Sequence, residues 1–417
     1  MRTNLAVGLF GASHTPMATV AVIALALAVG CGSEDDAPDA GGSAASDGGS
    51  SGDGPRQNSI ECHDTDSAPG FPQSCQSSRM VRRGDGPIHE LPQGAPMELP
   101  TTFAGAGGVE LNVDDFLERR TSTKGLLVIK DGEIVFEKYY AGETATSYFV
   151  SHSVAKSITS LLVGIALDEG YIEDIDEPVE DYVSGLRGTG YDGVTIKDLL
   201  QMNSGIEYSE VYGVRGSDVS RLANPFWACT SVEEVIGTFS REFEPGTHHQ
   251  YASIDTEVLG LVLREAIKRG GYTSTSCFME DRVWRHLGVQ SDSFWAIDGV
   301  GVENSFGGFY GVLRDYARFG LLYLNGGTLN GERIVSESWV DASVARSGPA
   351  GYGFQWWLRT GKRYSAIGIN GQFVFVDPTN NIVIAKTSDQ ADYAQDPQET
   401  SHFALFDAIV EKLVSAN

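Results

Sequence analysis

The chain has 417 residues, an ordinary apolar content of 41% and a formal charge of −26. So acidic a surface excludes binding along a nucleic-acid backbone and a polybasic membrane contact, because both need a cationic face. The length suffices for one large domain or two modest ones.

The chain opens on a targeting segment. Arg2 gives a weak positive start, and residues 17–30 (MATVAVIALALAVG) form an apolar run too short for a comfortable membrane span. The run ends at Ala28-Val29-Gly30-Cys31, small residues followed by cysteine, which resembles a bacterial lipoprotein cleavage box. On that reading residues 1–30 are a signal peptide and Cys31 is the lipidated first residue of an exported, membrane-anchored protein. An ordinary secretory signal is the alternative, and either places the mature chain outside the cytoplasm.

Residues 31–94 read as a tether. From Gly32 to about Gly54 the chain is mainly Gly, Ser, Ala and Asp, which bury too little apolar surface to offset the entropy of ordering. Four cysteines follow Cys31: Cys62, Cys75, Cys229 and Cys277. An even number in an oxidising compartment permits two disulfides. Proximity favours a small Cys62–Cys75 loop and leaves Cys229–Cys277, although both later cysteines could be free and buried. No Cys/His spacing suggests a metal site, and no cofactor is expected.

The folded region is expected over 95–417. Residues 125–130 read as a strand, Asp131-Gly132 as a tight hairpin, and 133–140 (EIVFEKYY) as the returning strand. A helix follows from Ser153 to about Glu169, with Ile158, Leu161, Leu162 and Ile165 at helical spacing and Gly170 as its stop. The middle of the chain reads as helices and loops: 194–200 after a threonine cap, 256–269 capped by Asp255, and 312–324. Strand character returns over 353–358, 364–369, 372–376 and 382–387, and a helix over about 399–413 closes the chain. Early and late strands most simply join one antiparallel sheet. The helical middle then forms a lobe, with a cleft between the two.

Ser153-Val154-Ala155-Lys156 stands at the head of the first long helix. A serine and a lysine three apart share a helix face. A serine hydroxyl is a poor nucleophile until a base takes its proton, and a neutral lysine amine can do so. The positive end of the helix favours negative charge on the serine side, and burial would lower the lysine pKa.

Together with Tyr251-Ala252-Ser253 before the second long helix and Ala366-Ile367-Gly368 on a late strand, this motif resembles those of the serine β-lactamase-related hydrolases. That superfamily includes penicillin-binding enzymes, class C β-lactamases, related esterases and 6-aminohexanoate-dimer hydrolases. The likeness runs from about Gly125 to the C-terminus. It implies an α+β sandwich of the β-lactamase/transpeptidase type: an antiparallel sheet flanked by helices, with a mainly helical lobe over about 171–300. It further implies that Ser153 is acylated, that Lys156 helps remove its proton, and that the Tyr251 hydroxyl passes the proton to the leaving group. Ser253 would orient the lysine or bind substrate. The Ile369 and Ser153 N–H groups would hold the oxyanion, and Gly368 would let the substrate backbone approach the strand. Which of Lys156 and Tyr251 is the resting base stays open, with a tilt toward neutral Lys156.

β-Lactamases carry Lys-Thr-Gly on that last strand and many relatives His-x-Gly. Here Ala366 replaces the basic residue, which removes the usual anchor for a β-lactam carboxylate. Gly351-Tyr352-Gly353-Phe354-Gln355-Trp356-Trp357 and Glu210-Val211-Tyr212 resemble the 6-aminohexanoate-dimer hydrolase branch, where the latter loop carries a substrate-contacting tyrosine; Tyr212 is the candidate. The expected activity is hydrolysis of a small-molecule amide or ester through an acyl-enzyme. The alternatives are a β-lactamase or D,D-carboxypeptidase, and a non-catalytic ligand-binding module on the same scaffold, whose mark would be a broken first or second motif. Other motifs fail on context. Residues 48–52 (GGSSG) match G-x-S-x-G but lie in the tether, and His89-Glu90 lacks a second histidine. His152, His248 and His249 flank the motifs and read as polar surface.

Overall fold

Strands covered by helices on both faces should be apolar without interruption, and the late strands meet that rule. The computed structural model describes residues 77–346, 351–390 and 398–415. The expected signal peptide, Cys31, the glycine-rich segment and the expected Cys62–Cys75 loop lie outside the described residues. The elements used below are β1 (Ser77–Val81), β2 (Thr123–Lys130), β3 (Glu133–Tyr139), β4 (Tyr148–Val150), α1 (Val154–Asp168), α2 (Ser253–Ile267), β5 (Ser293–Ile297), β6 (Phe309–Val312), α3 (Leu313–Leu324), β7 (Trp357–Leu358), β8 (Tyr364–Gly368), β9 (Gln372–Asp377), β10 (Ile382–Ser388) and α4 (Gln398–Ser415).

The main sheet has six antiparallel strands in the order β7-β8-β9-β10-β2-β3. The early hairpin therefore docks on the last strand, with Val128 opposite Ile384. Successive side chains alternate across the sheet. Leu126, Val128, Phe373, Phe375, Ile382 and Ile384 share a core with Phe406 and Ile409 of α4. Leu127, Ile129, Val374, Val376, Val383 and Ala385 belong to the larger core that includes α1, α2 and α3. The fold is thus the α+β sandwich that the order of elements suggests.

Four differences from the sequence reading matter. Residues 77–94 are not wholly tether: β1 pairs with β5 in a second sheet ordered β1-β5-β6-β4, and Val81 is fully buried. Its SSRMV sequence hides this, because much of its anchoring is a buried Arg79–Glu303 ion pair (2.7 Å) rather than apolar alternation. The mainly helical stretch ends where β5 begins, short of residue 300. And α2 starts at Ser253, so Asp255 lies buried inside its first turn, accepting a hydrogen bond from the Tyr191 hydroxyl (3.2 Å), instead of capping it. Of the late strands, 353–358 shortens to Trp357–Leu358. Gln355 sits at φ +64° with its side-chain amide given to the Leu199 and Leu200 carbonyls. Cys229 and Cys277 are each in a disulfide, so neither is a free thiol.

Candidate active site

The chain reaches α1 through a fastened turn. The Ser151 amide donates to the Phe309 carbonyl (2.7 Å) and the Tyr316 hydroxyl to the Phe149 carbonyl (2.8 Å). His152 then takes φ +44°, a left-handed conformation uncommon for a residue with a side chain. Ser153 follows as the residue before the helix, and its side chain makes no capping bond. The residue is partly exposed, and its hydroxyl is not spent on the helix end.

One turn on, Lys156 is 1% exposed. Its Nζ has three hydrogen-bond partners: Ser153 Oγ at 2.9 Å, Ser253 Oγ at 3.0 Å and the Phe306 carbonyl at 2.9 Å. The Tyr251 and Phe306 rings flank it, their centroids 5.3 and 5.4 Å away. Burial lowers the Lys156 pKa to about 8, against the opposing pull of the Glu210 and Glu257 carboxylates. The Phe306 carbonyl is held by both long helices. The Thr159 hydroxyl of α1 donates to the Ser305 carbonyl (2.9 Å), and the Ser305 amide donates to Glu257 of α2 (2.9 Å). This contact requires Gly260, where a Cβ would stand 1.9 Å from Ser305 Oγ.

Ser253 opens α2 and meets a carboxylate. Its hydroxyl donates to Glu210 Oε1 (2.5 Å) and its amide to Glu210 Oε2 (3.0 Å), as suits an anion at a helix N-terminus. The Tyr212 hydroxyl donates to the same Oε1 (2.5 Å). The half-buried Tyr251 ring lies against Trp357 (5.2 Å between centroids) and Tyr352 (6.1 Å).

At the end of β8, Gly368 presses on the turn before Ser153. A Cβ there would stand 2.5 Å from the Ser151 carbonyl oxygen and 3.1 Å from the His152 Cβ. The glycine is therefore required by the turn itself, apart from any need of a substrate. Among the described residues, neither the Ser153 nor the Ile369 amide has a hydrogen-bond acceptor. Asn370 (φ +66°) and Gly371 (φ +85°) turn the chain back, with Asn370 Nδ2 3.4 Å from His152 Nε2.

The structure thus brings Ser153, Lys156, Ser253 and the Tyr251 ring together, sets Gly368 and Ile369 beside the same turn, and ties Tyr212 to the cluster through Glu210. Sequence reasoning noted Glu210 only as a neighbour of Tyr212. A single carboxylate 43 positions from its partner carries no local signal in a chain with 56 acidic residues. Of the histidines, His152 lies beside the site and the other two are engaged elsewhere. Burial, then Lys156, lower the His152 pKa to about 4; His248 stacks on Phe243; His249 Nδ1 lies 3.0 Å from the Gln201 carbonyl.

An antiparallel sheet flanked by helices, with a Ser-x-x-Lys pair heading the central helix and a glycine strand beside it, defines a class of α+β serine hydrolase. The chain belongs to the Beta-lactamase family, whose sequence profile matches residues 109–408. It is 31% identical over 303 residues, spanning 66% of this chain and 76% of the relative, to the 6-aminohexanoate-dimer hydrolase of Paenarthrobacter ureafaciens. Among solved structures it is similar to a putative 6-aminohexanoate-dimer hydrolase from Bacillus anthracis (TM-score 0.72, 20% identity, covering 82% of this chain and 92% of that one). A family VIII carboxylesterase shares the fold at a TM-score of 0.56 and 18% identity, over 72% of this chain and 94% of that one.

Proposed function

We propose that this hydrolase cleaves the amide or ester bond of a small molecule through an acyl-enzyme on Ser153. Ser153 Oγ attacks the carbonyl carbon while its proton passes to Lys156, and the Ser153 and Ile369 amides receive the charge on the carbonyl oxygen. The C–N or C–O bond breaks as the leaving group takes a proton from the Lys156–Tyr251 pair. Water then attacks the acyl ester, releasing the acid and restoring Ser153. The observation that carries this reading is a buried amine, with its pKa brought down to about 8, at 2.9 Å from the hydroxyl of a partly exposed serine.

The relative named for 6-aminohexanoate-dimer hydrolysis supports amides, and the carboxylesterase neighbour supports esters. β-Lactam hydrolysis is disfavoured, since Ala366 is buried in β8 opposite Val374 where a substrate-binding cation would be needed. A fluorophosphonate probe should label the wild type and spare Ser153→Ala, and a screen of short-chain esters and linear amides should find turnover lost in the same variant. Labelling of Ser153→Ala, or rapid hydrolysis of a chromogenic cephalosporin, would overturn the assignment. The apolar leader and Cys31 support export and a lipid anchor; palmitate incorporation in the bacterial host should disappear in Cys31→Ala.

A further inference from the structure

We infer that Glu210 is a positioning residue that fixes the direction of the hydrogen bonds around Lys156, so that the only lone pair of the neutral amine is aimed at Ser153. The inference rests on the reading of Ser153 as nucleophile and Lys156 as its base.

The donors around Lys156 can be counted. Lys156 Nζ has three partners, Ser153 Oγ, Ser253 Oγ and the Phe306 carbonyl. As an ammonium it donates to all three. When it loses a proton it keeps two N–H bonds and gains one lone pair, and one of the three contacts must reverse. The Phe306 carbonyl cannot reverse, because it has no hydrogen. A serine hydroxyl can, because its single proton rotates. Two serines face the amine, and unless something distinguishes them the lone pair is as free to be capped by Ser253 as to receive the proton of Ser153.

Glu210 makes the distinction. Its carboxylate accepts three donors, the Ser253 amide, the Ser253 hydroxyl and the Tyr212 hydroxyl. With its one proton given to Glu210, Ser253 can only accept from Lys156. The reversal is left to Ser153, whose proton then points at the lone pair that is to remove it. The carboxylate also acts through its charge. Glu210 and Glu257 hold up the pKa of Lys156 against burial, His152 and the Tyr251 ring being the other titratable groups beside the amine.

Glu210→Gln keeps the shape and breaks the count. Three donors converge on the two oxygens of Glu210, and an amide offers one oxygen and one NH2 group. The Ser253 amide cannot become an acceptor, so the side-chain oxygen of the glutamine turns to it. The NH2 group then faces Ser253 Oγ, and the Ser253 proton is turned toward Lys156, capping the base.

The test is a double-mutant cycle of Glu210→Gln and Ser253→Ala, read as kcat, KM and pH profile on an ester turned over by the wild type. In the wild-type background E210Q should lower the plateau kcat by about tenfold or more and leave KM within about twofold. Its acid limb should move to lower pH, because a carboxylate that favours charged Lys156 has gone. In the S253A background, where no hydroxyl remains to turn, E210Q should cost less than about twofold. An E210Q loss of the same factor in both backgrounds, whether through folding or through lost substrate contact, would overturn the inference, as would an unchanged plateau. Labelling separates the two levels: a Ser153→Ala protein that is still labelled sinks the functional reading, whereas a clean loss of labelling there with an inert E210Q sinks only the role of Glu210.

Discussion

Among the described residues two buried lysines each donate to a serine hydroxyl, and their surroundings differ. Lys156 lies under the head of α1 and donates to the partly exposed Ser153. Lys386 lies on β10 and donates to Ser388, with both residues buried. Burial alone drives the Lys386 pKa far below the ordinary lysine value. Around Lys156 the same burial is opposed by Glu210 and Glu257, and the pKa settles at about 8. Burial therefore lowers the proton affinity of an amine but does not by itself make a useful base. A base needs carboxylates that keep its proton affinity near the working pH, a hydroxyl that a substrate can reach, and N–H donors beside that hydroxyl.

This contrast can be broken in order of expected effect. Ser153→Ala should lower kcat by about a thousandfold or more, measured on any ester the wild type turns over. Lys156→Met should lower it by about a hundredfold or more and erase the acid limb of the pH profile. Lys386→Met should leave kcat within about twofold; a loss like that of Lys156→Met would mean the two pairs are not functionally distinct. Gly368→Ala should cost about 1–3 kcal/mol in thermal or denaturant unfolding, because backbone and Cβ atoms stand where the new methyl would go. It should also slow labelling of Ser153, since the turn that carries the serine must move. The smallest effect concerns stability against pH. Folded Lys386 gives up its proton far below 10.5, whereas the unfolded chain keeps it to about that value. Between the two the unfolded state binds more protons, so this group adds stability as pH rises, by about 1.4 kcal/mol per pH unit. Lys386→Met should flatten that part of the curve, as chemical denaturation at a series of pH values below 10.5 would show.

The sequence was most informative where local spacing carries the chemistry. Ser153 and Lys156 lie one helical turn apart, and the late strands announce themselves as uninterrupted apolar runs. Tyr251, Ser253 and Gly368 were legible only through likeness to a family, because nothing local ties them to Ser153. What escaped was held by distant polar contacts. Strand β1 is pinned by an ion pair across 224 positions, and the Glu210–Ser253 bond spans 43. The Phe306 carbonyl that fixes Lys156 is a backbone atom, which no residue type can signal. The misplaced start of α2 has a similar cause: Asp255 looks like a cap, and only its burial beside Tyr191 shows that the helix has already begun.

The central claim is that Ser153 is deprotonated by a neutral Lys156. It is tested most directly by the rate of Ser153 phosphonylation by a fluorophosphonate between pH 6 and 10, in the wild type and in Tyr251→Phe. With neutral Lys156 as the base, the rate should rise about tenfold per pH unit to a plateau, with an apparent pKa near 8 that stays in place when the phenol is removed. A limb that moves or vanishes in Tyr251→Phe would assign the proton transfer to the tyrosine and contradict that claim.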